Sequence, residues 1–184
     1  NIRLHATEHM RFSDVESQNV IGMLPGSDPA LKNEYVVFGA HLDHLGVGAP
    51  INGDRIYNGA MDDGSGIASL IEIADIAKQE NLRPRRSILF VAVTGEEKGL
   101  LGSQYFTSAP TVPLKNIVAD INMDMYLPLF PLKSLAVMGL EESTLGSDIR
   151  AVAAKAGVSV QPDPEPQRNL FIRSDQYNYI RNGV

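Results

Sequence analysis

The chain has 184 residues, 43% of them hydrophobic, which is enough for one good core and one domain. Its net charge is −6 and no basic run exceeds Arg83-Pro84-Arg85-Arg86, which argues against nucleic acid or an anionic membrane as the main partner. No apolar stretch approaches the roughly 20 residues that span a bilayer, and with no cysteine any metal must be held by His, Asp and Glu.

At the start of the chain, Ile2, Leu4, Ala6, Met10 and Phe12 alternate with polar residues, the pattern of a half-exposed strand or hairpin. The stretch NVIGMLPGSDP predicts a strand closing in a turn, and EYVVFGAH a short buried strand beside it. Residues 46–59, rich in Gly, Pro and Asn, read as a loop. Residues 65–79 give the clearest helix, with Ile67, Leu70, Ile71, Ala74 and Ala77 on one face and Glu72 and Asp75 outside. RRSILFVAVTG is apolar on both faces, as a central strand requires. A short helix over 101–107, a strand in NIVADINMDM and another in SLAVMG follow. Residues 145–156 form a helix ended by Gly157, and PDPEP is an extended loop. YNYIRNGV stops in mid-pattern at Val184, so a last strand-like segment is expected to be missing. Strands alternating with helices predict an α/β sandwich with a mostly parallel central sheet, whose sites form at the carboxyl ends of the strands.

Four segments deliver acidic or imidazole side chains at such ends. They are GAHLDHLG with His41 and Asp43, GAMDDGSG with Asp62 and Asp63, TGEEKG with Glu96 and Glu97, and NMDM with Asp124. Brought into one crevice, these carboxylates repel one another by several kcal/mol unless divalent cations turn repulsion into binding. Oxygen and imidazole donors without thiolate suit zinc, manganese or cobalt in a hydrolytic site. Each segment has a plainer reading. DDGSG serves equally as a turn with Asp63 or Ser65 capping the next helix, and GEEKG as a solvated acidic turn. Asp124 sits in an apolar setting where an unpaired carboxylate is costly, which favours function. If the strand continues, His44 faces away from His41 and is read as structural; His5 and His9 are read as surface residues.

In their order, GAHLDHLG, GAMDDGSG, TGEEKGL, NMDM and RSDQYNYIRNGV resemble the successive motifs of the two-zinc exopeptidases that include bacterial leucyl aminopeptidases and glutamate carboxypeptidase. The resemblance implies a three-layer α/β/α catalytic domain, often preceded by a protease-associated domain in secreted proteins. It implies that His41 and Asp124 hold one zinc and Glu97 the other, with Asp62 bridging the two, commonly through a cis peptide to Asp63. Glu96 would be the general base, and Asp43 would orient His41. The family's second zinc takes another histidine some tens of residues beyond the SD motif, and this chain has none after His44. Residues 1–184 are therefore expected to be a catalytic domain incomplete at its C-terminus, holding one zinc tightly where the complete domain holds two, with poor activity. The chain opens on Asn1, as a processed or partial product would.

The resemblance implies a peptide substrate, a secreted or otherwise extracytoplasmic location, and an aminopeptidase as the first reading of function. A carboxypeptidase or a glutaminyl cyclase on the same scaffold is the alternative among enzymes. A receptor-like relative without catalysis is the rival from another class, and the retained acids argue against it. Substrate preference is expected to lie in residues 46–59 and 126–131, and the oligomeric state is not legible.

Overall fold

The computed structural model describes residues 3–10, 14–126 and 129–184. Its main sheet has four strands in the order β1 (Val20–Leu24), β5 (Ser87–Val93), β2 (Tyr35–His41) and β6 (Ile117–Asn122). β2 runs parallel to both β5 and β6, while β1 joins the edge of β5 antiparallel. β1 and β2 are thus not neighbours, as the sequence had implied; β5 lies between them. The chain order explains the architecture. From β2 to β5 it crosses one way through α1 (Gly64–Gln79), and from β5 to β6 it returns the other way through α2 (Leu101–Ser108). Right-handed crossovers in opposite directions place their helices on opposite faces of the sheet. The result is a mixed α/β fold with a mostly parallel central sheet. The carboxyl ends of β2, β5 and β6 flank the point where the winding reverses, which is where such sheets build their sites.

Period two decides the core. Val37 of β2 pairs with Leu89 of β5, and these two share one face with Val91 and Val93. Phe106 of α2 and Tyr179 of α4 (Gln176–Arg181) close over that face. On the other face Phe38 stacks against Phe90 with ring centroids 6.3 Å apart. α1 buries Gly66, Leu70 and Ala77 at i, i+4 and i+11, a narrower stripe than the sequence suggested, and Ile71 turns out to solvent at 66% exposure.

Several local expectations need correction. Residues 46–59 are not an open loop but a hairpin of β3 (Gly46–Ile51) and β4 (Asp54–Tyr57). Asn52 and Gly53 both carry positive φ, as the tight turn of a two-residue hairpin requires. YNYIRNGV, given no element from the sequence, is mostly helical, for Gln176–Arg181 forms α4. The described N-terminal residues, 3–10, form no regular element, so the expected strand or hairpin is absent there; Ile2 and Phe12 lie outside the described residues. β7 (Ser134–Ala136) pairs in parallel with β8 (Ser159–Gln161), a strand too short to announce itself, across α3 (Leu145–Lys155).

Beneath α4 the core contains buried acid. Asp175 is 2% exposed; one oxygen accepts from Ser103 Oγ at 2.6 Å and the other has no hydrogen-bond partner among the described residues. Burial, reinforced by nearby acids, raises its pKa from 3.8 to about 6, although the Ser103 hydrogen bond and His41 pull the other way. Burial, with a contribution from Asp175, likewise holds Asp120 well above the ordinary carboxylate range. The sign follows directly. Between about pH 4 and 6 the folded chain keeps a proton that the unfolded chain has released, so Asp175's contribution is intact below 3.8 and lost as pH rises through about 6. Asp175→Asn keeps an acceptor for Ser103 without the charge. Measured by urea unfolding across pH, the variant should match the parent near pH 4 and exceed it at pH 8 by about 2–3 kcal/mol. A variant less stable than the parent at pH 8 would contradict this account.

Candidate functional site

Main-chain pairing aligns the three strand ends. His41 sits opposite Val93, Leu42 N donates to Val93 O at 2.7 Å, and Met123 N donates to Gly39 O at 2.8 Å. The segments after β2, β5 and β6 therefore leave the sheet side by side and carry their polar residues into one crevice. His41, the last residue of β2, is fully buried on its side chain. Its Nε2 stands 3.0 Å from Asp62 Oδ1 and 3.7 Å from Asp124 Oδ1. A second group forms beside the first, with His44 Nδ1 at 2.5 Å from Glu97 Oε1 and 3.7 Å from Asp62 Oδ2. Asp62 thus turns one oxygen to each group. The structure brings His41, Asp62, Glu97 and Asp124 together at the carboxyl edge of the sheet. Glu96 opens the short 3-10 turn Glu96–Lys98 beside them and belongs to neither donor group among the described residues.

Asp63 organises the surroundings. Its carboxylate accepts from His41 N (3.1 Å), Gly66 N (3.0 Å) and Met125 N (3.3 Å), tying together the end of β2, the start of α1 and the turn after β6. It is the cap of α1 that the sequence had left open between Asp63 and Ser65. The Asp62–Asp63 peptide bond is cis. Asp43 acts differently from the expectation. Its main-chain carbonyl, not its carboxylate, lies 2.8 Å from His41 Nδ1, and its carboxylate accepts from Gly95 N at 2.7 Å. It holds both the ring and the turn that leads to Glu96. Asp124 Oδ2 accepts from Ser174 Oγ at 2.5 Å, and Asn122 Nδ2 donates to that same hydroxyl at 2.9 Å.

The electrostatics follow from this crowding. Burial works to lower the His41 pKa, yet Asp124 above all, then the Asp43 carbonyl and Asp63, raise it to about 10. Burial would raise Asp124, but His41 and Ser174 hold it below its ordinary value. Burial lifts Glu96 to about 7, with Asp175, Asp124 and Glu97 adding to the effect and His41 opposing it. An imidazole ringed by carboxylates takes a proton; a divalent cation offers the same carboxylates a stronger counter-charge and expels that proton.

The sequence profile of peptidase family M28 matches residues 19–184, most of the chain. The chain belongs to peptidase family M28. Among curated relatives, mouse aminopeptidase NAALADL1 is 36% identical over 123 residues, covering 64% of this chain and 15% of its own length. Carboxypeptidase Q of Xenopus laevis is 29% identical over 130 residues, 70% of this chain and 25% of its own. A zinc aminopeptidase from Bacillus subtilis shares the fold with a TM-score of 0.66 at 24% identity, over 91% of this chain and 38% of that one. This M28 chain accordingly spans a quarter or less of the length of those curated relatives.

The donor atoms suit zinc, the metal named for the Bacillus subtilis aminopeptidase. His41 Nε2, His44 Nδ1, Glu97 Oε1 and Asp124 Oδ1 are all closed to solvent, and among the described residues none makes a well-directed hydrogen bond. Buried polar atoms left that way are costly, and coordination satisfies them. Sequence reasoning missed three participants. The alternation that sets His44 apart from His41 does not reach it, because β2 ends at His41. Ser174 carried its signal in RSDQ, and Asn122 in the residue pair before Asp124, yet neither pattern shows what the side chain touches. Residues 46–59 and 126–131, where substrate preference is expected, follow β2 and β6 in the chain; Leu127 and Pro128 lie outside the described residues.

Proposed function

We propose that this M28 chain forms the catalytic unit of a zinc-dependent exopeptidase, most simply an aminopeptidase, with Glu96 as general base. The observation that carries the reading is the pair of donor groups sharing Asp62 across its two oxygens, with Glu96 adjacent and uncommitted. On this reading His41, Asp62 and Asp124 hold one zinc, and Asp62 and Glu97 the other. When bound, zinc lowers the pKa of water toward 7 and stabilises negative charge on a scissile carbonyl oxygen. The chain's residues do the rest. Glu96 accepts a proton as water adds to the carbonyl carbon, and returns it to the nitrogen as the C–N bond breaks. Asp43 holds the His41 ring by its carbonyl and the Glu96 turn by its carboxylate, so one residue sets the spacing of ligand and base. Ser174 and Asn122 fix the second oxygen of Asp124 and leave the first directed at His41. The same reading places the protein outside the cytoplasm.

Removing metal with a chelator should reduce hydrolysis of peptides with a free N-terminus to background, and adding Zn²⁺ should restore it. The same peptides with an acetylated N-terminus should resist. Release of C-terminal residues from acetylated peptides would replace the aminopeptidase by a carboxypeptidase, and ammonia release from N-terminal glutamine would point to a cyclase. Hydrolysis that survives complete metal removal would reject the metal-dependent reading itself.

A further inference from the structure

We infer that Asn19 is a positioning residue for Glu96, its side chain clamping both ends of the loop, residues 94–102, that carries Glu96 and Glu97. The consequence for catalysis rests on the function proposed above. Asn19 stands half-buried just before β1. Its Oδ1 accepts from Thr94 N at 3.1 Å, where the loop leaves β5. Its Nδ2 donates to Gly102 O at 2.8 Å, where the loop has entered α2. One planar amide joins entry and exit.

The loop needs such a clamp. Gly95, Gly99 and Leu100 take positive φ, at 69°, 104° and 61°. For the leucine that conformation costs about 1–2 kcal/mol, and it persists only where the surroundings over-determine it. Within the loop, Gly99 N and Leu100 N each donate to Glu96 O at 2.9 Å, and Leu101 N donates to Gly95 O at 3.0 Å. These bonds give the turn its shape but do not tie it to the sheet. The ties come from the strands on either side of β5. From the β2 side the Asp43 carboxylate takes Gly95 N, and from the β1 side Asn19 takes Thr94 and Gly102. A Cβ on Gly102 would lie 2.3 Å from Thr94 O and 2.7 Å from Asn19 Oδ1, so only glycine brings α2 close enough to β5 for one amide to reach both.

The rival role for Asn19 is to close the edge of the sheet. β1 does not require it, because Val20–Leu24 already pair with residues 88–92 along their whole length. A side chain kept for edge closure would bond the β5 side alone, whereas the Asn19 donor reaches past the sheet to α2. Loss of the amide therefore releases a strained loop from one of its two ties. Glu96 moves with that loop, while His41, Asp62 and Asp124 sit on other segments and keep their places. Displacing a reacting group by about 1 Å costs up to about 10²-fold in rate. The loss should fall on turnover rather than on binding.

Two readouts on Asn19→Ala test this, one of them independent of metal and activity. In the metal-free chain, amide hydrogen exchange followed by NMR should quicken at Gly99, Leu100 and Leu101 by about 10-fold or more, with Val91 inside β5 unchanged. At saturating Zn²⁺, kcat for a peptide with a free N-terminus should fall about 10-fold or more, with KM within about twofold. Leu114→Ala is the control for general destabilisation, since Leu114 packs on the core just before β6, at the amino end of the sheet. It should quicken exchange at Val91 as well and leave kcat per folded molecule unchanged. Asn19→Asp keeps the acceptor for Thr94 and loses the donor to Gly102, so it should fall between the parent and Asn19→Ala; if Asn19→Ala does not fold, the same comparison on Asn19→Asp decides. Parent-like exchange at residues 99–101, or freer amides with the parent's kcat, would overturn the assignment. So would a uniform loss of protection like that of Leu114→Ala, which would leave Asn19 only the edge of the sheet. A parent without metal-dependent hydrolysis would reject the proposed function instead, and the exchange data would still decide whether Asn19 holds the loop.

Discussion

On the proposed reading, Glu96→Gln is expected to lower kcat on the order of 10²-fold or more in the zinc-loaded protein, with metal content unchanged. The physical reason is a division of labour between adjacent glutamates. Glu97 turns Oε1 into the donor group with Asp62 and His44, whereas Glu96 belongs to no donor group among the described residues. A glutamine at 96 keeps the shape and the neighbours of the carboxylate but cannot accept a proton. The proton of the attacking water then has no fixed acceptor, and the leaving nitrogen no fixed donor. KM should change little, because the amide fills the same space. Glu97→Gln should show the opposite pattern, with zinc affinity falling first and activity recovering in part at high Zn²⁺. Zinc stoichiometry and kcat measured on both variants distinguish the roles. Equal loss of metal in the two would remove the assignment of Glu96 as base.

The elements that set the crevice were legible because burial writes itself into sequence. VVF before His41, SILFVAV before Glu96 and IVADIN before Asp124 are apolar enough to be strands, and each ends where a polar residue appears. Strand order was less legible. Pairing β1 with β5 rather than β2 is a long-range choice that no local pattern encodes. The hairpin at 46–57 was legible from Asn52-Gly53, a turn signal that the abundance of Gly and Pro around it obscured. The crevice divides in the same way. Residue type and order pointed to His41, Asp43, Asp62, Asp63, Glu96, Glu97 and Asp124 as a group, since carboxylates following apolar strands are costly without a role, and the family resemblance selected the ligands and the base among them. Which atom of Asp43 meets His41, and where His44 turns after the strand ends, depend on backbone torsions past His41 that periodicity does not carry. Alternation is informative only as long as the strand lasts.

Gly66→Ala should be among the most damaging single substitutions in the chain, though local propensity predicts the reverse. Gly66 lies in the first turn of α1, where replacing glycine by alanine ordinarily favours a helix by about 1 kcal/mol. Here the added methyl would overlap the Met123 carbonyl oxygen and both carboxylate oxygens of Asp63. None of these is the free end of a flexible side chain. Met123 is pinned by its main-chain bond to Gly39, and Asp63 by three backbone donors. Overpacking against fixed atoms costs about 1–3 kcal/mol, occasionally more, and a lost helix cap about 0.5–2. The two penalties together therefore exceed the propensity gain, for a net loss of about 0.5–4 kcal/mol, whose upper end is a large share of a domain's stability. The effect should reach the metal positions too. Asp62 and Asp124 are each the immediate neighbour of a residue the methyl displaces, so zinc affinity should fall along with stability. Urea unfolding of the metal-free chain measures the first effect, and Zn²⁺ titration under folding conditions the second. A Gly66→Ala chain as stable as its parent, binding zinc as tightly, would show that Asp63 does not hold α1 and the turn at Met123 in the close packing described above.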